Sequence, residues 1–315
     1  MNPGVKEDCA TVGVDDNCDG KTDEGCLNAA GCGADGLVCG GGKGACSSGH
    51  CFWTDDKGYK WTLVPAGTFW MGCNSVADDG CEGNETPQHL IDMSAYWIGV
   101  YEVTVSEYKA CVDAGGVGCS MPGTGNFANW GVVGKEQHPV NYVNWLQSEG
   151  YCKWLSGDLP TEAQWEKAAR GGCEIYAGKC SAAEPKYPWG NTAPTCGQEA
   201  VFFAGGVGCN KKSTFAVGAG SAKGQSPYGL YDIAGNVREW NLDWYDAGFY
   251  GKGSAKEKDA WNSLAGSHRV IRGGWAGNLV SISSDLRSGF RSYDAPAISV
   301  YHTGETGVRC AKPFP

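Results

Sequence analysis

The chain has 315 residues, a formal net charge of −10 and a composition that is 42% hydrophobic. This length can build one large domain or two ordinary ones with a real core. An acidic chain without a basic stripe excludes nucleic acid as a partner, and no apolar run reaches the roughly 20 residues that span a bilayer. Fifty glycines and thirteen tryptophans predict many turns and loops and little regular secondary structure.

Seventeen cysteines are too many for a reducing compartment unless they hold metals, and none lies in the C-x-x-C spacing that zinc sites use. Disulfides are therefore expected, and with them a secreted or cell-surface protein. Because the number is odd, one thiol is unpaired or pairs with another chain. Local pairs such as Cys73 with Cys81, Cys111 with Cys119, Cys173 with Cys180 and Cys196 with Cys209 could close short loops, but the spacing leaves connectivity open.

Residues 1–51 hold seven cysteines, many glycines and almost no large apolar residues. We expect a separate acidic module that is held by disulfides or metal, with residues 27–51 as a glycine-rich linker. In its first part, oxygen-bearing side chains cluster around a glycine. This pattern predicts a calcium-binding loop, in addition to the site at 228–240 described below, formed by Asp15, Asp16, Asn17, Asp19, Asp23 and Glu24. A solvated acidic linker pinned by disulfides explains the same pattern equally well.

The main domain is predicted to cover residues 52–315. Alternating apolar residues at 61–71 favour a short strand, a turn and a second strand. Thr104, Asn144 and Thr161 each precede a Glu or Gln by three residues, which is the capping-box pattern of a helix start. Glycines at 115, 157 and 171 stand where a left-handed residue would end each helix, so we expect helices of roughly ten residues.

The stretch at 228–240 combines a Gly235-Asn236 turn with two carboxylates, Asp232 and Glu239. Calcium prefers a set of carboxylate and carbonyl oxygens, and a loop of this length can supply about four of them. The stretch therefore predicts a calcium site. A surface turn with an unremarkable acidic pair is the alternative.

Eight short motifs together resemble the formylglycine-generating enzyme (sulfatase-modifying factor) family. Over roughly residues 60–313 they share its order and spacing: ETPQH at 85–89, YEVT at 101–104, HPV at 138–140, LPTEAQWEKAAR at 159–170, YPWG at 187–190, the stretch at 228–240, RVIRGG at 269–274 and GVRC at 307–310. The resemblance implies an α+β fold, the loop-rich variant of the C-type lectin fold that this family adopts, preceded here by the small disulfide-rich module.

The resemblance also implies specific site residues. The calcium ligands of the family correspond to the side chains of Asp232 and Glu239 and the carbonyls of Gly235 and Val237, with Asp in place of the usual Asn at the first position. A second family calcium site is not reproduced at 198–203. A family disulfide corresponds to Cys152 and Cys310, whereas a second one falls at Ala169 and Ser288 and is absent.

Formylglycine formation in this family depends on two cysteines that bind copper(I) as thiolates. The alignment places these two positions at Asn278 and Ser283, and no cysteine lies between Cys209 and Cys310. We therefore expect no copper-dependent formylglycine synthesis. The histidine cluster of iron-dependent relatives is missing too, because His50, His89, His138, His268 and His302 have no H-x-x-x-H spacing.

The segment after RVIRGG is rich in Trp, Asn, Ser, Tyr and Asp, a composition typical of adaptable recognition surfaces. We therefore expect a ligand face formed by Trp275, Asn278, Ser283, Asp285, Tyr293 and His302. The favoured hypothesis is a secreted, calcium-stabilised protein that binds an extracellular ligand or self-assembles. The alternative is a metal-dependent oxidoreductase of the same superfamily with a different reaction.

Overall fold

The computed structural model describes residues 38–76, 78, 80–176, 185–202, 207–219, 222–274, 276, 284–297 and 306–314. Helices are few and short in this part of the chain: α1 Val105–Asp113, α2 Trp145–Trp154, α3 Glu162–Arg170 and α4 Val207–Asn210. Strands are more numerous: β1 Val38–Cys39, β2 Gly44–Ser47, β3 His50–Thr54, β4 Lys60–Val64, β5 Gly67–Met71, β6 His89–Met93, β7 Tyr96–Gly99, β8 Arg238–Trp244, β9 Arg269–Arg272, β10 Ser292–Asp294, β11 Thr306–Gly307 and β12 Ala311–Pro313.

The strands form three sheets. A six-stranded sheet has the order β1-β2-β3-β4-β7-β12, a four-stranded sheet has the order β10-β9-β8-β11, and β5 pairs with β6. The two strands predicted at 61–71 are present as β4 and β5, but they belong to different sheets. Strand β12, from the end of the chain, pairs with the early strand β7.

Strand β3 crosses the boundary that the sequence predicts between residues 51 and 52. Its register places Trp53 opposite Trp61 of β4, and the Cys39–Cys51 disulfide ties it to β1. From residue 38 onward the predicted module is therefore continuous with the main sheet. Composition alone places the boundary after residue 51, because this segment has few large apolar side chains. The main-chain hydrogen bonds that join its strands to the sheet do not require such side chains. The rest of the module lies outside the described residues.

The three predicted capping boxes are present. Thr104, Asn144 and Thr161 each accept a hydrogen bond from the third helical N–H, and the residue at that position bonds back to the cap. Helices α1 and α3 end at the predicted glycines, Gly115 with φ +66° and Gly171 with φ +95°. After α2 the left-handed residue is Ser156 rather than Gly157. Gly157 instead permits a close approach, because a Cβ there would lie 2.5 Å from the Ala311 carbonyl oxygen.

Buried aromatic rings fill the space between the sheets and the helices. Trp61, Trp97 and Trp240 share one cluster with Tyr108 of α1 and Tyr151 of α2. A second cluster packs α3 against β4, β7 and the segment that precedes β8. The starts of α3 and β8 are therefore fixed relative to each other by core packing.

Every cysteine in the described part of the chain is in a disulfide. Cys152 and Cys310 are joined, as the resemblance implies, and so are the local pairs Cys73–Cys81, Cys111–Cys119 and Cys196–Cys209. Cys173 is also disulfide-bonded, but Cys180 lies outside the described residues.

The predicted fold class is confirmed: the chain is α+β, with short helices, short strands and long connecting loops arranged as in the loop-rich C-type lectin variant. Among the helices of the described residues, none combines the length and the apolar character needed to cross a membrane.

Candidate metal centre and ligand face

The turn that leads into β8 has an unusual backbone. Asp232, Gly235 and Asn236 all have positive φ, at +55°, +92° and +61°. A Cβ on Gly235 would lie 2.5 Å from the Val201 carbonyl oxygen, so only glycine fits there. Non-glycine residues in this conformation cost free energy, and such strain is concentrated at functional sites. The turn is therefore held in a defined shape by its surroundings.

Glu239, the second residue of β8, is buried and engaged on both carboxylate oxygens. Arg309 Nε lies 2.9 Å from Oε1 and 3.0 Å from Oε2, and Arg309 Nη2 lies 2.7 Å from Oε1. The Trp165 indole N–H donates to Oε2 at 2.6 Å. The same guanidinium also donates to the carbonyls of Gly99 and Tyr231 at 2.9 Å each. Glu239 is thus the anion of a buried, charge-assisted pair.

Two further carboxylates stand behind the same turn. Glu102, between β7 and α1, is fully buried and accepts from the Val237 N–H at 3.0 Å and the Asn236 side-chain amide at 2.6 Å. Asp232 accepts from the Gly218 N–H at 2.5 Å. Burial, together with the charge of neighbouring carboxylates, raises the pKa of Asp232 to about 6 and also raises the pKa of Glu102.

The cluster therefore holds three carboxylates, Glu102, Asp232 and Glu239, against one guanidinium, Arg309. Among the described residues, Arg309 is the cation that offsets the charge of all three. Burial and the repulsion between the carboxylates raise the pKa values of Asp232 and Glu102, and a divalent cation would offset that repulsion. Oxygen-only donors beside a tight turn suit a hard cation, so the residues present fit calcium, with Asp232 and Glu102 carrying the uncompensated charge.

A second buried network involves three arginines, Arg272, Arg287 and Arg291, which flank in sequence the segment that contains Trp275, Asn278 and Ser283. Arg272, just before this segment, pairs with Glu166 of α3. Arg287, just after it, makes a two-pronged pair with Glu85 at 2.6 and 2.7 Å. Arg291 makes a similar pair with Glu162 at 2.7 and 2.8 Å. These ion pairs fix both flanks of the segment to the helix and to the loop before β6.

The structure separates the described members of the predicted ligand face. Asp285 approaches Arg238 at 3.8 Å, at the start of β8, whereas Tyr293 lies beside Tyr245, just past its end. A strand of this length separates the two side chains by about 20 Å. Trp275, Asn278, Ser283 and His302 lie outside the described residues, as do Asp15, Asp16, Asn17, Asp19, Asp23 and Glu24.

Sequence reasoning missed Glu102 and Arg309 as members of the cluster. Both lie inside motifs that carry the family resemblance, YEVT and GVRC, but a motif does not show which other segment its charges face. A buried acidic residue between two apolar neighbours, Tyr101 and Val103, is the only local signal that Glu102 offers.

The model of the "Sulfatase-modifying factor enzyme 1-like domain" family matches residues 54–314. The chain belongs to this family. The formylglycine-generating enzyme of Thermomonospora curvata is 30% identical over 298 residues, covering 79% of this chain and 91% of the relative. The hercynine oxygenase of Mycolicibacterium smegmatis is 28% identical, covering 74% and 57% respectively.

Among solved structures, PvdO from Pseudomonas aeruginosa superposes with a TM-score of 0.67 at 23% identity, over 89% of this chain and 99% of PvdO. Treponema denticola variable protein 1 has a TM-score of 0.61 at 24% identity, over 82% of this chain and 95% of that protein. At these identities the likeness is one of fold. This member of the sulfatase-modifying factor family has no cysteine between Cys209 and Cys310, where the family resemblance locates the copper-binding pair.

Proposed function

We propose that the chain is a secreted or cell-surface, calcium-stabilised member of this family that has lost its oxidase site and acts as a ligand-binding or assembly module. One observation carries the loss of the oxidase site. Copper(I) needs soft thiolate ligands, and the two aligned positions are Asn278 and Ser283. Every cysteine of the described residues is in a disulfide, so none of them offers a thiolate instead.

The disulfides support the proposed secreted or cell-surface location. Five bridges have both partners among the described residues, and one of them spans 158 residues. Bridges of this kind form and persist outside the reducing cytosol. The odd total of cysteines supports assembly as one form of the proposed role, because a thiol left over can join two chains.

The carboxylate cluster supports the calcium role. The ligands would be Asp232, Glu239, and the carbonyls of Gly235 and Val237, with Glu102 adding a further carboxylate. A bound ion would supply positive charge to a cluster in which Arg309 balances only one of three acids. The proposed role of calcium is structural: it would hold the turn before β8 against Glu102 and the 213–219 loop.

Elemental analysis of the purified chain tests this proposal. We expect calcium near one ion per chain and no stoichiometric copper or iron. The Asp232→Ala, Glu239→Ala double variant should lose the rise in thermal stability that calcium gives to the wild type. Asp113→Asn, a change at an exposed residue paired only with Lys109, is the matched control and should keep the full calcium response.

The competing function is a metal-dependent oxidoreductase of the same superfamily with a different reaction. The names of two relatives, formylglycine-generating enzyme and hercynine oxygenase, favour it. Stoichiometric copper or iron in the purified protein would establish this alternative against the binding role. Electrophoresis without reductant addresses assembly, because a disulfide-linked multimer would run as a ladder that collapses on reduction.

A further inference from the structure

Tyr293, Tyr245 and His268 form an aromatic surface, which we call the Tyr293 platform. Tyr293 is 49% exposed, whereas tyrosines such as Tyr59, Tyr108, Tyr151 and Tyr228 are buried. It stacks on Tyr245 with 4.0 Å between ring centroids and an interplanar angle of 26°, and the His268 ring meets it edge-on at 5.1 Å. One flat face of Tyr293 is thus supported from beneath while much of the ring stays in solvent.

The platform is anchored from below. The Tyr245 N–H donates to the His268 carbonyl at 2.8 Å, and the Asn84 side-chain amide donates to the Tyr245 hydroxyl at 3.0 Å. Next to it, the Arg269 guanidinium is sandwiched between the rings of Trp145 and Trp244, at 3.8 and 3.7 Å. A surface held in this way loses little conformational freedom when it binds a ligand.

The surroundings select against an anionic ligand and give a cationic ligand no enclosing aromatic cage. The two rings are too close together to admit an ammonium group between them, so the pair is a closed stack rather than a cage. The nearby cations are already engaged: Arg291 pairs with Glu162 and lies over the Tyr245 ring at 5.2 Å, Arg269 lies between two indoles, and Lys252 pairs with Asp246. Acidic neighbours of the platform, Asp246 and Asp294, disfavour an anion.

We propose that the Tyr293 platform binds a neutral carbohydrate chain. A pyranose ring presents a flat face of C–H groups, which packs on an aromatic face, and a rim of hydroxyls, which bond to polar side-chain tips. The Tyr293 hydroxyl and His268 Nε2 supply such tips around the exposed ring, while His268 Nδ1 is already hydrogen-bonded to the Ser267 hydroxyl at 2.8 Å. This inference rests on the proposed binding role and names the ligand class for it.

Native electrophoresis of the full chain through gels that contain a neutral polysaccharide tests the proposal. The probes are hydroxyethylcellulose, galactomannan, xylan and soluble starch, each against a gel without polysaccharide. We expect at least one of them to retard the wild type. Tyr293→Ala should weaken that affinity about tenfold, because it removes the stacking face, whereas Tyr293→Phe keeps the face and should retain most of the retardation.

Trp189→Ala is the matched control, because Trp189 belongs to a different stacked pair, with Tyr187 at 5.2 Å. It should migrate like the wild type. Retardation that is equal in wild type and Tyr293→Ala would overturn the proposal, and so would a wild type that none of the four polysaccharides retards. Calcium content measured on the same samples reports the proposed function separately, so a calcium-loaded wild type without retardation refutes only the carbohydrate class.

Discussion

Replacing Glu239 by glutamine tests whether the buried pair with Arg309 holds the core of the domain together. The substitution keeps the shape and one carbonyl acceptor for the Trp165 N–H but leaves the Arg309 guanidinium without its ionised partner. Both side chains are almost completely buried, at 0% and 1% exposure. Breaking a buried pair by removing one charge costs about 3–5 kcal/mol, because the remaining charge stays desolvated.

The assay is urea unfolding at pH 7 in the presence of a calcium chelator, so that any bound ion does not mask the loss. We expect the free energy of unfolding of Glu239→Gln to fall by about 3–5 kcal/mol with little change in the urea dependence. Asp113→Asn removes the same charge from an exposed pair, at 61% side-chain exposure, and should cost less than about 0.5 kcal/mol. A loss below about 1 kcal/mol for Glu239→Gln would refute the reasoning.

Three other predictions follow from the same structure. Burial and the adjacent Lys135 lower the pKa of His138 to about 4. The unfolded chain therefore binds this proton more readily than the folded chain, and His138 lowers the stability of the fold as the pH falls from about 6.5 to 4. The variant His138→Asn should reduce that loss by about 1 kcal/mol in unfolding curves measured across this pH range. Removing the Cys152–Cys310 disulfide by paired serine substitutions should lower the free energy of unfolding by about 2 kcal/mol more than removing Cys111–Cys119. The reason is that the longer loop restricts the unfolded chain more, since the sequence separations are 158 and 8. Equal losses of stability in calorimetry would contradict this loop-entropy account. A chain that begins at residue 56 lacks β1 to β3 and uncovers Trp61, so its melting temperature should drop by several degrees, whereas a separable module would leave it unchanged.

Local signals in the sequence predict local structure well. The caps at Thr104, Asn144 and Thr161 involve residues three positions apart, and all three helices begin where the pattern places them. The alternation at 61–71 predicts β4 and β5, but it does not show that β4 pairs with β3 and β7 while β5 pairs with β6. Strand partners depend on contacts between distant segments, which hydrophobic periodicity does not encode.

The site shows the same division. The carboxylates of Asp232 and Glu239 can be recognised beside their turn, but Glu102 and Arg309 join them from 135 residues before Val237 and 70 residues after Glu239. Asp285 and Tyr293 are close in sequence, yet Asp285 approaches Arg238 at the start of β8 and Tyr293 stacks on Tyr245 just past its end. Proximity in sequence therefore does not predict proximity at a surface.

The closure of the fold by residues 306–313 has a consequence for biogenesis. This short segment supplies β11, the Arg309 guanidinium, the Cys310 sulfur and β12, whose partners lie as far back as Tyr96. During synthesis the N-terminal part of the chain emerges first. Until residues 306–313 follow, one edge of β7 stays open and Glu239 has no counter-charge from Arg309. Contacts of such long range form slowly. Until then the open edge of β7 is available for pairing with other chains, and the Cys152–Cys310 disulfide can form only after Cys310 has been synthesised.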